Sequence, residues 1–438
     1  MTGFKLLLKG RSSGRTEQYM KILSKKTDGN LKIFKSNAID KNYIIDKNTI
    51  DKNKDKKLKF LSFVTAAFIS ISSAGIFYSG AGINAEEPEL DAKSAILMEA
   101  ETRTVLYEYN ADEALPPASV TKVMTLLLTM EAIDSGRIAL TDIISVSENA
   151  ASMGGSQVYL QPGEQMSVED MIKCVVISSA NDAAVALAEF ISGSEEGFVS
   201  LMNTRAAELG MNSTHFENTN GLDDTTTNHV TSARDIAIMS AELLSHPKII
   251  EYSSTWMDSI RGGEFTLANT NKLIRFYDGA TGLKTGSTSK AGFCISATAK
   301  RNDLHLIAVI MGSTTRDARN ASAKKLLDIG FAGYSLMNYP EKSLDEIRVV
   351  GGTKDSCSLT AAEYKRVIDK NSGSNIEVVT EIPELLNAPI EAGTVVGRIV
   401  YKCGDTELGE SAVTAAETVD RIGYFQVLID IILNFFMI

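Results

Sequence analysis

Ser119 and Lys122 stand three residues apart in a run of good helix formers, a spacing that sets an alcohol beside an amine on one helical face. An alcohol attacks poorly until a base takes its proton. An amine can do this once burial and a neighbouring cation bring its pKa from about 10.4 towards about 7 to 8. Two more polar clusters follow in chain order, Ser179-Ala180-Asn181 and Lys284-Thr285-Gly286-Ser287. Together they suit acyl transfer. Ser119 would attack a carbonyl with Lys122 as its base, and the backbone N–H groups of Ser119 and Ser287 would hold the oxyanion. Ser179 would relay a proton to the leaving group, while Asn181 would hold the substrate amide and orient Lys122. Lys284 would lower the pKa of Lys122 and, with the hydroxyls of Thr285 and Ser287, receive a terminal carboxylate. Gly286 would leave room for a substrate lying along the strand. Each motif alone is weak, because Ser-x-x-Lys recurs at Ser245, Ser287 and Ser322 and Ser-x-Asn at Ser147. Ser119 as a helix cap and Asn181 as a turn cap are the plain structural alternatives. Their order, each at the end of a helix or strand, carries the chemistry.

The elements that must position these residues are legible. Pro116-Pro117 and Asp134-Ser135-Gly136 bracket a helix over 118–133, with Ser119 in its first turn, where the positive helix end favours a developing oxyanion. Ser167 and Glu169 open a second helix to Ile177 and a third reaches about Ile191, leaving Ser179 to Asn181 in the turn between them. Residues 293–300 and 304–311 flank an Asn302-Asp303 turn and read as an antiparallel hairpin apolar on both faces, followed by a helix over 324–331. Helices around such a sheet predict an α+β domain over 86–340. Short β-favouring stretches, such as 347–350, 376–379 and 395–401, predict a small all-β domain over 341–411. Residues 412–438, polar at Glu417, Asp420, Gly423, Gln426, Asp430 and Asn434, predict an amphipathic helix with one narrow polar stripe.

The net charge of -11 is divided unevenly over the 438 residues. Residues 1–59 carry 16 Lys or Arg against 6 Asp or Glu, a balance of +10, and the chain beyond them is -21. An acidic body excludes nucleic acid as the expected partner. Phe60 to Ile83 is uncharged, preceded by Lys56, Lys57 and Lys59 and followed by Asn84-Ala85-Glu86, the order of an export signal; an uncleaved membrane anchor is the alternative. Residues 1–85 are therefore a basic extension and signal segment outside the folded domains. Cys174, Cys294, Cys357 and Cys403 form no Cys-x-x-Cys pair, leaving thiols or one disulfide open, and His215, His229, His246 and His305 have no metal-ligand spacing. No metal and no cofactor are expected.

Through Ser119 to Lys122, Ser179 to Asn181 and Lys284 to Gly286 the chain resembles the low-molecular-mass penicillin-binding proteins, the serine-type D-alanyl-D-alanine carboxypeptidases, over nearly all of 86–438. Pro117 to Thr125 is similar to the family's nucleophile segment. Asn218 to Asp223, with His229, Ser232, Ala233 and Asp235, is similar to its loop and following helix. Gly312 to Phe331 resembles the segment bearing a substrate-orienting arginine, Arg319 matching best and Arg316 next. The resemblance implies a β-lactamase/transpeptidase-like domain, a β-rich second domain and a C-terminal helix on the membrane surface. It also implies release of terminal D-alanine from peptidoglycan stem peptides through an acyl-enzyme on Ser119, acylation of that serine by β-lactams, and work at the extracytoplasmic face of the membrane. The tail departs from the pattern, since Arg421 is its only cation. A class A β-lactamase would share the motifs but need Glu-x-x-Leu-Asn, and Glu217-Asn-Thr-Asn220 lacks the leucine. A catalytically silent wall-binding protein and a cross-link endopeptidase are the other readings.

Overall fold

Five antiparallel strands carry the first part of the fold: β1 (Ser94–Glu99), β2 (Val105–Tyr109), β3 (Ala280–Thr288), β4 (Gly292–Arg301) and β5 (Leu304–Ser313), in the order β2-β1-β5-β4-β3. The computed structural model describes residues 88–370 and 375–436. The basic extension and the uncharged stretch of the expected signal lie outside the described residues. β1 and β5 are apolar without alternation because both sheet faces are covered. Ile307, Val309 and Met311 pack on one side among helices, while Leu306, Ala308 and Ile310 pack on the other against Leu326, Leu327 and Phe331. Each fully buried aliphatic side chain of this kind contributes about 1.5–3 kcal/mol.

A single 3-10 turn, Ala118–Thr121, leads into α1 (Lys122–Asp134), which ends at Ser135 and at Gly136 with a positive φ. Ser119 therefore sits on a tighter turn than the helical first turn expected, and residues i and i+3 still share a side there. Because α1 is buried from Lys122 to Met130, its sequence lacks a polar face. The second helix, α2 (Val168–Ile177), is capped by Ser167, whose hydroxyl accepts the Asp170 N–H, and α3 (Asn181–Ser192) ends at Gly193. Between them Ser179 takes a left-handed φ of 62°. α4 (Ala233–Leu244) and α5 (Arg316–Gly333) complete the helices used below; α5 contains the helix expected over 324–331 and begins earlier because Thr315 caps it.

The hairpin expected at 293–311 is β4 and β5, lengthened at both ends. Beyond it, Tyr334–Tyr339 pairs with Tyr364–Asp369. A six-stranded sheet follows in the order Ile376–Glu381, Val395–Cys403, Thr406–Ala415, Ser356–Ala361, Lys342–Val350, Leu385–Asn387. One expectation is corrected here. The helix placed from 412 begins only at Tyr424, because Ser411, Val413 and Ala415 continue the buried alternation of the strand Thr406–Ala415. Glu417, read as part of a helical stripe, instead pairs with Lys354, and Asp420 accepts the Thr353 N–H. The last helix, α6 (Tyr424–Phe436), exposes Tyr424, Phe425, Ile429, Ile431 and Leu433. No helix among the described residues is long and apolar enough to cross a membrane.

Candidate active site

At the end of the 3-10 turn, Lys122 is wholly buried and its Nζ touches three oxygens: Ser119 Oγ at 3.0 Å, Asn181 Oδ1 at 2.6 Å and Asn220 O at 2.7 Å. Burial first, and the charge of Lys284 second, hold this amine well below its ordinary range, with Asp182 opposing. Asn181 Oδ1 and the Asn220 carbonyl accept from the amine, and the third direction faces the Ser119 hydroxyl. The orientation of Asn181 is independently set, since its Nδ2 donates to Gly154 O at 2.7 Å.

Lys284, on edge strand β3, is also buried and donates to Ser179 Oγ at 2.7 Å and to Thr285 O at 3.0 Å. Burial, then the Arg319 charge, lowers its pKa to about 7. Ser119, Lys122, Ser179, Asn181 and Lys284 thus meet from three distant stretches. Gly286 is explained differently from the expectation: a Cβ there would lie 2.8 Å from Ser119 N and 2.9 Å from Val120 N and Pro117 O. The turn that carries Ser119 itself fills the space. Thr285 Oγ1 donates to Thr270 Oγ1 at 2.9 Å, Ser287 is exposed at the end of β3, and Arg316 is exposed. Arg319 does not open onto solvent. The residue is 3% exposed and its guanidinium donates to Cys294 O at 3.3 Å and to Asn320 Oδ1, so in this conformation it acts on Lys284 as a buried charge behind β4.

Several contributors carry no motif signal. Asn220 serves through its carbonyl, which any residue possesses, although it falls in the Asn218 to Asp223 segment already singled out. Gly221 lets that loop reach the turn bearing Ser119, since a Cβ there would stand 1.8 Å from Ala118 O. Asp182, next to Asn181, is buried and accepts the N–H groups of Val158 and Leu160 at 3.1 Å, fixing the loop whose Gly154 and Ser156 carbonyls hold Asn181. Glu217, the β-lactamase candidate, accepts the Thr227 and Asn228 N–H groups at 2.8 and 3.1 Å and so closes its own loop. Among the described residues no group of His, Cys, Asp or Glu is placed to hold a metal and no disulfide occurs; Cys174, Cys294 and Cys357 are buried thiols.

A hydroxyl, a buried amine beside it whose pKa is held low, and a second buried lysine on an edge strand are the groups that serine acyl transfer calls for, set here in a mixed helix and sheet domain. Residues 81–315 match the family model described as D-alanyl-D-alanine carboxypeptidase, and residues 340–421 match the C-terminal domain of penicillin-binding protein 5. The chain belongs to the D-alanyl-D-alanine carboxypeptidase family of serine peptidases. It is 43% identical to the D-alanyl-D-alanine carboxypeptidase DacF of Bacillus subtilis over 77% of this chain and 88% of that protein. Penicillin-binding protein 5 from Haemophilus influenzae superposes with a TM-score of 0.66 at 32% identity, covering 76% of this chain and 99% of that one. Penicillin-binding protein D2 from Listeria monocytogenes, solved in an ampicillin-bound form, superposes with a TM-score of 0.52 at 32% identity over 56% of this chain and 98% of its own.

Proposed function

We propose that this chain removes the terminal D-alanine from peptidoglycan stem peptides through an acyl-enzyme on Ser119, and that β-lactams acylate the same oxygen. Neutral Lys122 takes the Ser119 proton as Oγ bonds to the carbonyl carbon of the penultimate D-alanine. The N–H groups of Ser119 and Ser287 stabilise the oxyanion, each such donor being worth about 3–4 kcal/mol in the transition state. The C–N bond then breaks as the proton taken up by Lys122 passes by way of Ser179 to the departing amine, which leaves Lys122 neutral again and Lys284 still charged. Water, deprotonated by Lys122, hydrolyses the ester and restores the serine. Lys284, with Thr285 and Ser287, receives the terminal carboxylate; Asn181 holds the stem-peptide amide, and Arg319 keeps the pocket positive from behind. The observation that carries this reading is the 3.0 Å separation of Lys122 Nζ and Ser119 Oγ, with the amine held in place by Asn181 Oδ1 and the Asn220 carbonyl. No cofactor takes part.

Residues 1–85 export the chain, residues 86–340 and 341–411 are its catalytic and β-rich domains, and the terminal helix holds it at the membrane surface. The test is incubation with a defined pentapeptide stem, product analysis, and mass mapping of a penicillin adduct. Loss of one D-alanine and an adduct on the peptide bearing Ser119 are expected. Full D-alanine release by Ser119→Ala would refute the mechanism, and rapid penicillin turnover would favour a β-lactamase.

A further inference from the structure

His229 lies outside every step above, yet it is 6% exposed and joins two parts of the site. Its Nδ1 accepts the Glu217 N–H at 3.0 Å, and its Nε2 lies 2.8 Å from Thr121 Oγ1. Thr121 Oγ1 in turn donates to Ala118 O at 2.8 Å. The direction of this chain follows from chemistry. A backbone N–H can only donate, so Nδ1 carries no proton. Burial keeps the ring neutral, with its pKa lowered to about 4, so the single ring proton is on Nε2 and points at Thr121. The Thr121 hydroxyl proton then points at Ala118.

The Ala118 carbonyl and the Ser119 N–H are the two ends of one trans peptide plane. Fixing one end fixes the direction of the other. Ala118 holds a φ of 50°, unusual for a residue with a side chain and costing about 1–2 kcal/mol, so that plane needs outside support. Among the described residues the Ser119 N–H has no acceptor, which leaves it available to a ligand. Gly221 abuts the same carbonyl.

We propose that His229 is a positioning residue which, through Thr121 and the Ala118 carbonyl, aims the Ser119 N–H at the oxyanion. The inference rests on Ser119 being the nucleophile. It assigns the work to the Nε2 side of the ring, while the Nδ1 side merely closes the 217–229 loop.

Two substitutions separate the sides. Glutamine can return a donor near the Nε2 position, and asparagine can return an acceptor near the Nδ1 position. Acylation by benzylpenicillin is followed by stopped flow over a range of concentrations, splitting the binding constant from the acylation rate constant. Thermal midpoints are read for the same proteins. His229→Asn and Thr121→Val should each lower the acylation rate constant by about tenfold to a hundredfold, less than the roughly 10²–10³ lost when an oxyanion donor is removed outright. The binding constant should hold, His229→Gln should recover most of the rate, and Thr121→Ser should behave as wild type. Asparagine matching wild type while glutamine fails, or Thr121→Val acylating at the wild-type rate, overturns the inference. Thr121→Val keeps the ring in place, so it decides the matter if a His229 variant does not fold. Failure of wild type to acquire an adduct on Ser119 would instead sink the underlying mechanism.

Discussion

Replacing Lys284 by methionine removes a charge that the fold holds out of water at some expense. Its pKa falls from 10.5 to about 7, and each unit is about 1.36 kcal/mol, so placing this amine costs about 5 kcal/mol near neutral pH. Methionine has a similar length and no charge. Against that gain, Ser179 Oγ and the Thr285 carbonyl each lose a partner, at about 1 kcal/mol apiece. A net stabilisation of about 2–3 kcal/mol should remain at pH 7, or roughly 4–8 °C in the thermal midpoint. The sign with pH follows from linkage. The folded pKa lies below the unfolded one, so between about 7 and 10.5 the unfolded chain binds the extra proton and the wild type gains stability as pH rises. The advantage of Lys284→Met should therefore shrink steadily from pH 7 to 10, and D-alanine release should be lost at every pH. Calorimetry of both proteins in matched buffers checks this. A variant less stable than wild type at pH 7, or a difference indifferent to pH, would refute the assignment of a buried, strained charge.

The same lysines predict a bell-shaped pH dependence of kcat/KM. It should rise as Lys122 becomes neutral and fall above about 7 as free Lys284 loses its proton, and Lys284→Arg, if it binds substrate, should lose the alkaline limb; a flat profile from pH 6 to 9 would contradict both roles. Deleting the chain after Ile422 should abolish co-sedimentation with lipid vesicles and leave pentapeptide turnover unchanged. Because the exposed face of α6 is apolar, that binding should resist salt and need no anionic lipid, and salt-sensitive binding would count against it.

Much of the site was legible because its chemistry is written in short local patterns. Ser119 and Lys122 are joined by one turn, and Ser179 to Asn181 by the break between two capped helices. What escaped was made by contacts distant in sequence. No pattern marks the Asn220 carbonyl as an amine's partner, and the reason for Gly286 is a close approach of chain segments about 167 residues apart, visible only once the sheet is assembled. Arg319 matched by position, but its burial behind β4 depends on how α5 packs. The late start of the last helix was missed because Ser411 to Ala415 is small and apolar, a composition that suits either a strand or a helix, and only pairing with Val395–Cys403 and Ser356–Ala361 decides between them.

Gly286 also bears on how a microbe could escape a drug. Any heavier residue at 286 would strike the main chain at Ser119 and Val120, so on the proposed mechanism a codon change there would displace the serine that antibiotic and cell-wall peptide must both reach. On that mechanism, a substitution that lessened drug binding and spared the reaction would have to fall where a side chain can change without moving this turn.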